Sequence, residues 1–205
     1  ANHEGIYGLW CNPRMIKRMQ DLSDKSRPVW HFITTTAKPG TEPTPTTVYR
    51  SVWASLIGGA RGIIYFDHQF NADGSYITDI AMENYPAMAS QVQTLNAQIQ
   101  SLAAPLIGPE VDLPITIDSS NKTAGPVGGT YGVPIHYTIR QAGGTTYLFT
   151  QAIRPGTTTA TFTVPAAANK TITVIDESRT LSANGSGVFT DSFSSDYQVH
   201  LYRWS

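Results

Sequence analysis

Arg27-Pro-Val-Trp-His-Phe-Ile33 and, further along, Gly59-Ala-Arg-Gly-Ile-Ile-Tyr-Phe66 decide how this chain is read. Each is a short run of apolar, β-branched and aromatic residues entered through Pro or Gly, the composition of a strand. Between them Val48, Val52 and Leu56, with Tyr49 and Trp53 beside them, recur at helical spacing. Thr44-Pro45 is a start signal for that helix and Gly58-Gly59 a stop. Strand, helix, strand at this distance predicts a βαβ unit, and such units build parallel sheets covered by helices. Residues 63–66 are continuously apolar rather than alternating, as expected of a strand buried on both faces.

Working outward, Asn12-Pro13 opens a helix over residues 12–22, because Asn can cap free N–H groups and Pro suits the first helical position. Met15, Met19 and Leu22, with Ile16 alongside, form its apolar stripe, and Arg14, Lys17 and Arg18 take the wet side. Residues 34–47 contain Pro39, Pro43 and Pro45 and read as a loop at the C-terminal end of the first strand. Residues 67–75 form a polar loop after the second strand. From Pro86 a long helix carries Met88, Val92, Leu95, Ile99 and Leu102, and the stretch from Pro105 to Pro109 ends it. Beyond lies β structure, expected over 111–117, 136–140, 146–150, 161–164, 171–175, 187–190 and 197–204. Gly143-Gly144 marks a hairpin turn. The expected organisation is α/β over residues 1–108 and an antiparallel β-sandwich over 109–205.

Charged residues make up 14% of the 205, below the roughly 25% of an average globular protein. Thr, Gly, Ser and Pro fill the gap, which leans towards a secreted or extracytoplasmic β-protein. A formal net charge of −1 argues against a nucleic-acid partner, which would need a basic face. No run approaches the length of a membrane span, so no membrane partner is expected. Cys11 has no second cysteine to pair with. Neither a nucleophile-elbow serine nor a glycine-rich phosphate loop is present, and no cofactor is expected. His31 and His68 lack a third ligand at a recognisable spacing, so no metal is expected.

The motifs R-P-V-W-x-x-I and G-A-R-G-I-x-Y-F resemble those on the seventh and eighth strands of the (β/α)8 barrel of glycoside hydrolases. A terminal β-sandwich is similar to the companion domain of many such barrels. The resemblance implies a partial (β/α) barrel segment, about the last two to three βα units, followed by the sandwich. A complete barrel takes about 250 residues, so the resemblance also implies a C-terminal fragment. Residues 5–10 read like a strand end and its loop, and the chain is expected to begin partway through a domain.

A retaining glycosidase needs two carboxyl groups about 5 Å apart. In barrels of this kind the nucleophile follows the seventh strand, and the resemblance puts a carboxylate where this chain has Thr34. Glu42, further along the same loop, is a weak catalytic candidate or a solvated charge. Trp30, His31, Asp67, His68 and Gln69 are the candidate substrate-binding residues, as groups that hydrogen-bond hydroxyls or stack on a sugar ring. Tyr131, Tyr137, Tyr147, Tyr197, Tyr202 and Trp204 form either an aromatic sugar platform on the sandwich or its core. The expected function is that of a C-terminal fragment of a secreted glycoside hydrolase-like protein, inactive by itself. The alternative is a non-catalytic carbohydrate-binding or structural sandwich module. The expected partners are carbohydrate and either the missing N-terminal barrel portion or a second copy of the chain.

Overall fold

The two apolar runs pair side by side. In the computed structural model, which describes residues 9–36, 43–124 and 130–205, β1 (Trp30–Thr34) and β2 (Gly62–Phe66) are parallel. Trp30 stands opposite Gly62 and Thr34 opposite Phe66. Helix α2 (Pro45–Ile57) connects them, with α1 (Cys11–Leu22) before and α3 (Pro86–Ser101) after. The Thr44 hydroxyl caps α2 by accepting the Thr47 amide at 3.1 Å, and Pro45 sits in the first turn. Along α2, Val48, Val52, Trp53 and Ile57 are buried. The Trp53 indole donates to the Gln98 side chain of α3 (3.2 Å), and the Tyr65 hydroxyl of β2 donates to Asn96 of α3 (2.8 Å). These bonds tie α2 and β2 to α3.

Helix α1 departs from expectation. Met15, Met19 and Leu22 are 53%, 53% and 74% exposed, whereas Pro13 and Ile16 are buried. Pro13, Ile16 and Gln20 form a second line at the same 3–4 spacing, one position round the helix. That line meets the end of α2, where the Gln20 amide donates to the Gly59 carbonyl at 2.9 Å. Two neighbouring stripes satisfied the pattern, and the less conspicuous one is buried.

Contacts divide the chain into two units, with the division between Ala103 and Ala104. Pro105 does not end helical structure, because the short α4 (Ala103–Ile107) holds it in its first turn, where a missing N–H is no loss. The predicted strand over 111–117 also starts late. Val111, Leu113, Ile115 and Ile117 alternate onto the core, but only β5 (Thr116–Ser119) forms a ladder. Pro114 can donate no ladder bond. The segment before it is instead pinned by buried Arg140, whose guanidinium donates to the Gly108 carbonyl (2.6 Å), Glu110 (2.9 Å) and Thr138 (3.2 Å).

Besides β3 (Gln69–Phe70) and β4 (Tyr76–Thr78), which pair with each other in the first unit, the remaining strands are β6 (Lys122–Ala124), β7 (Thr130–Gly132), β8 (Ile135–Ala142), β9 (Thr145–Ala152), β10 (Thr158–Thr163), β11 (Thr171–Val174), β12 (Arg179–Ser182), β13 (Val188–Phe193) and β14 (Val199–Trp204) of the second unit. They form a three-stranded sheet, β13-β10-β5, a five-stranded sheet, β12-β11-β14-β9-β8, and the β6–β7 pair. The turn between β8 and β9 needs positive φ at both central residues, 56° at Gly143 and 76° at Gly144, as two-residue hairpins do. Phe162, Phe189 and Phe193 from the smaller sheet share one core with Leu148, Ile172, Tyr202 and Trp204 from the larger. The Phe162 and Phe189 rings stack at 4.8 Å, with Tyr202 edge-on to both.

One charged cluster joins three of these strands, β12, β13 and β14, with the turn before β12. Arg179 binds Asp191 in bidentate fashion at 2.9 and 2.7 Å and donates to Glu177 at 2.8 Å. The buried Tyr202 hydroxyl donates to Asp191 at 2.9 Å, and His200 lies between Glu177 (2.5 Å) and the Ser192 carbonyl (3.1 Å). Burial pushes the Asp191 carboxyl up. The Arg179 guanidinium, the nearby His200 and the Tyr202 and Ser192 donors outweigh it and hold the group below the usual carboxylate range. Its stabilisation is therefore full above the unfolded value of about 3.9 and is lost as pH falls through the lower folded value. Asp191→Asn should lower stability at pH 7 by about 1–3 kcal/mol, less than a fully buried pair because Arg179 is partly exposed. Urea midpoints measured from pH 7 to pH 3 should fall less steeply in the variant than in the parent. Parallel curves would remove Asp191 from the acid response.

Candidate functional site

In parallel sheets covered by helices, ligands gather where the strands end. At that edge of β1 and β2, two threonines hold the exit loops together. The amide and hydroxyl of buried Thr35 both donate to the Phe66 carbonyl, at 3.1 and 2.9 Å. The hydroxyl of buried Thr36 donates to the His68 carbonyl at 2.7 Å. Asp67 points inward to the same scaffold. One of its carboxylate oxygens accepts from the Met82 amide at 2.8 Å, fastening the 3-10 turn Ala81–Asn84, and lies 3.3 Å from the Thr35 hydroxyl oxygen.

The structure separates the candidate residues. Thr34 and Phe66 are register partners on one face of the strand pair, both exposed. His31 lies on the opposite, helix-facing side, where its Nδ1 meets the Ser55 hydroxyl at 2.7 Å. Ser55 Oγ also lies within hydrogen-bond distance of the Ser51 carbonyl, so the imidazole is tied through the hydroxyl to the α2 backbone. Burial lowers the His31 pKa and keeps the ring neutral. Trp30 is 60% exposed but stands at the entry end of β1, about 13 Å from the exit edge at 3.3 Å per residue. Its indole lies on Gly62, where a Cβ would fall 2.6 Å from the ring. Gln69 is buried and donates to the Tyr85 hydroxyl at 2.9 Å. Asp67 and Gln69 therefore build the loop, His31 and Trp30 lie elsewhere, and His68 alone of the five is presented at the edge. Glu42 lies outside the described residues.

Reading residues 67–75 as a plain loop missed what stands beside His68. Strands β3 (Gln69–Phe70) and β4 (Tyr76–Thr78) form a small antiparallel hairpin. Its turn is held by the Asn71 amide on the Ser75 carbonyl (2.8 Å) and by Asp73, which accepts from the Ser75 hydroxyl and amide at 2.7 and 2.9 Å. The hairpin brings Tyr76, 56% exposed, to a row of rings. Phe66 and His68 are 5.2 Å apart at 31°, His68 and Tyr76 are 6.5 Å apart, and Phe70 lies edge-on to Tyr76 at 6.3 Å. Asp73-Gly74 between aromatic and β-branched residues was the signal available in the sequence.

Among its described residues the sandwich offers no comparable row. Tyr202 and Trp204 belong to its core, Tyr197 is buried, and Tyr147 is half-buried against Phe149. Tyr137 is partly exposed, and the Tyr131 side chain lies outside the described residues. A shallow groove along α1, between Arg14, Lys17, Arg18, Asp21 and Leu22, is a solvated helix surface crossed by the Lys17–Asp21 ion pair. Among the described residues no three His, Cys, Asp or Glu side chains are placed to hold a metal ion, and no helix is long and apolar enough to cross a membrane.

No family model matches the sequence, and no curated protein matches it either. Solved structures do match in fold. An alpha-amylase from Geobacillus thermoleovorans, in complex with acarbose, aligns with a TM-score of 0.61 at 10% identity, over 97% of this chain and 45% of that one. AmyP in complex with maltotriose gives 0.55 at 12% identity, over 99% and 46%. An Anoxybacillus alpha-amylase gives 0.52 at 9%, over 94% and 41%. The chain thus has a glycoside-hydrolase-like fold, and it spans less than half the length of these structures.

Replacing Asp67 with Ala should release the Met82 amide and cost about 1–2 kcal/mol, the usual penalty for a buried donor left unsatisfied. Hydrogen exchange should quicken at Ala81 and Met82 while the β8–β9 amides keep their protection. Unchanged exchange at Met82 would show that Asp67 does not organise the loop.

Proposed function

We propose that this chain is the C-terminal portion of a secreted glycoside-hydrolase-like protein, comprising the last two to three βα units of a (β/α)8 barrel and a β-sandwich. The observation that carries the reading is the one-sided sheet. Trp30, Phe32 and Phe66 are 60%, 63% and 38% exposed on one face of β1 and β2, while His31 and Tyr65 turn to the helices on the other. Parallel strands are normally covered on both faces, and among the described residues β1 and β2 each have one neighbouring strand. Further parallel strands, supplied by the remaining barrel portion, complete the sheet and cover the aromatic face. A second copy of the chain is the competing occupant.

In this reading the closed barrel hydrolyses glycosidic bonds, and carbohydrate reaches it at the exit edge that presents His68. Supporting it are the fold likeness and the acarbose and maltotriose in two of the matched structures. A low charge content of 14% supports an extracytoplasmic location. The sandwich-as-binder alternative has less behind it, since Tyr197, Tyr202 and Trp204 are buried.

The chain by itself should turn over no glycoside. Thr34 supplies no carboxylate, and a lone Glu42 would lack the partner that acid-assisted departure needs. Assays on aryl glycosides and polysaccharides should match buffer blanks. A rate that survives repurification and is lost on Glu42→Gln would overturn this and make Glu42 the nucleophile.

The exposed face and free strand edges should also make the isolated chain associate. Light scattering across a dilution series should give a mass above 22.3 kDa, and Trp30→Lys with Phe32→Lys should restore the monomer. A strictly monomeric parent chain that binds no apolar dye would refute the open-sheet reading.

A further inference from the structure

We propose that Tyr76, at the β3–β4 hairpin, is the stacking residue of a pyranose subsite whose floor is completed by Phe66 and whose polar contact is His68. The inference rests on the carbohydrate reading above and adds the residue, the contact mode and the part of the sugar recognised. Tyr76 is more than half exposed, with its hydroxyl held by Asp79 and its ring edge-on to Phe70, so much of an aromatic face is left open to water. Its hairpin is nonetheless tightly built, with the turn bonded through Asn71, Asp73 and Ser75 and its base fixed by buried Gln69 on Tyr85. A rigid support under an exposed ring is the arrangement of a binding surface, because little freedom is lost when a ligand settles on it.

The neighbouring chemistry narrows the ligand. Phe66 and His68 continue the row, with the His68 ring tilted 31° to Phe66 and 57° to Tyr76, so the surface is several rings long and faceted, with Tyr76 as a face of its own. His68 is exposed and presents its ring nitrogens beside the apolar surface. A pyranose matches that combination: its axial C–H face lies on an aromatic ring while its hydroxyls reach outward to polar groups. A purely apolar ligand would leave His68 unanswered. The row also stands where β1 and β2 end, the side of such sheets on which ligands bind.

The test is a titration of the full 205-residue chain with maltotriose, cellotriose and xylotriose, followed by side-chain resonances of Tyr76 and His68. At least one sugar should shift both rings together. Tyr76→Ala should weaken that binding about five-fold or more, the scale of one aromatic contact. Tyr76→Phe, which keeps the ring, should stay close to the parent. Tyr137→Ala, on the sandwich, should have no effect. Binding retained by Tyr76→Ala, or shifts confined to the sandwich, would overturn the subsite and leave the carbohydrate reading standing. If none of the three sugars binds the parent chain, the subsite and the carbohydrate reading of this edge fall together.

Discussion

Everything in the α/β unit follows from the parallel pairing of Trp30–Thr34 with Gly62–Phe66. A parallel pair needs a crossover between its strands, and α2 supplies it. The crossover covers one face only, so residues alternate between two fates. His31 and Ile33 are taken into the helix side, where an imidazole can share a hydroxyl with Ser55 and remain neutral. Trp30, Phe32 and Thr34 are turned out. Gly62 is part of the same constraint, since any side chain there would collide with the Trp30 indole across the register.

The pairing was legible because it depends on local composition. Two β-branched runs bounded by Pro and Gly, with a capped helical repeat between them, admit few other readings. What escaped the sequence is equally specific. The buried face of α1 was ambiguous because Met15, Met19, Leu22 and Pro13, Ile16, Gln20 follow the same spacing, and only the position of α2 decides between them. Strand β12 (Arg179–Ser182) has too little apolar pattern to announce itself; its place comes from pairing with β11. At the exit edge the residue types drew attention to Asp67, His68 and Gln69, but not to their directions. Two of the three face inward as supports, and the sequence holds no record of that.

The second unit distributes its polar and apolar work differently. Its core is aromatic and shared by two sheets, while its charged cluster joins the Glu177–Arg179 pair to Asp191 and His200 from two other strands. No spacing rule could have joined these four residues. Each is bonded by another, and Tyr202 reaches from the core to the Asp191 carboxylate. A satisfied polar network of this kind restricts how the sheets can shift against each other, because sliding one would leave several groups without partners.

The two threonine hydroxyls at the end of β1 have a consequence for motion. Thr36 grips the carbonyl of His68, and Thr35 grips that of Phe66. The backbone carrying two of the edge rings is thus stitched to a strand rather than suspended from a free loop. Thermal displacement of those rings is reduced to rotation about their own side-chain bonds. The edge therefore behaves as a surface of nearly fixed shape, which selects its visitors by outline rather than by folding around them.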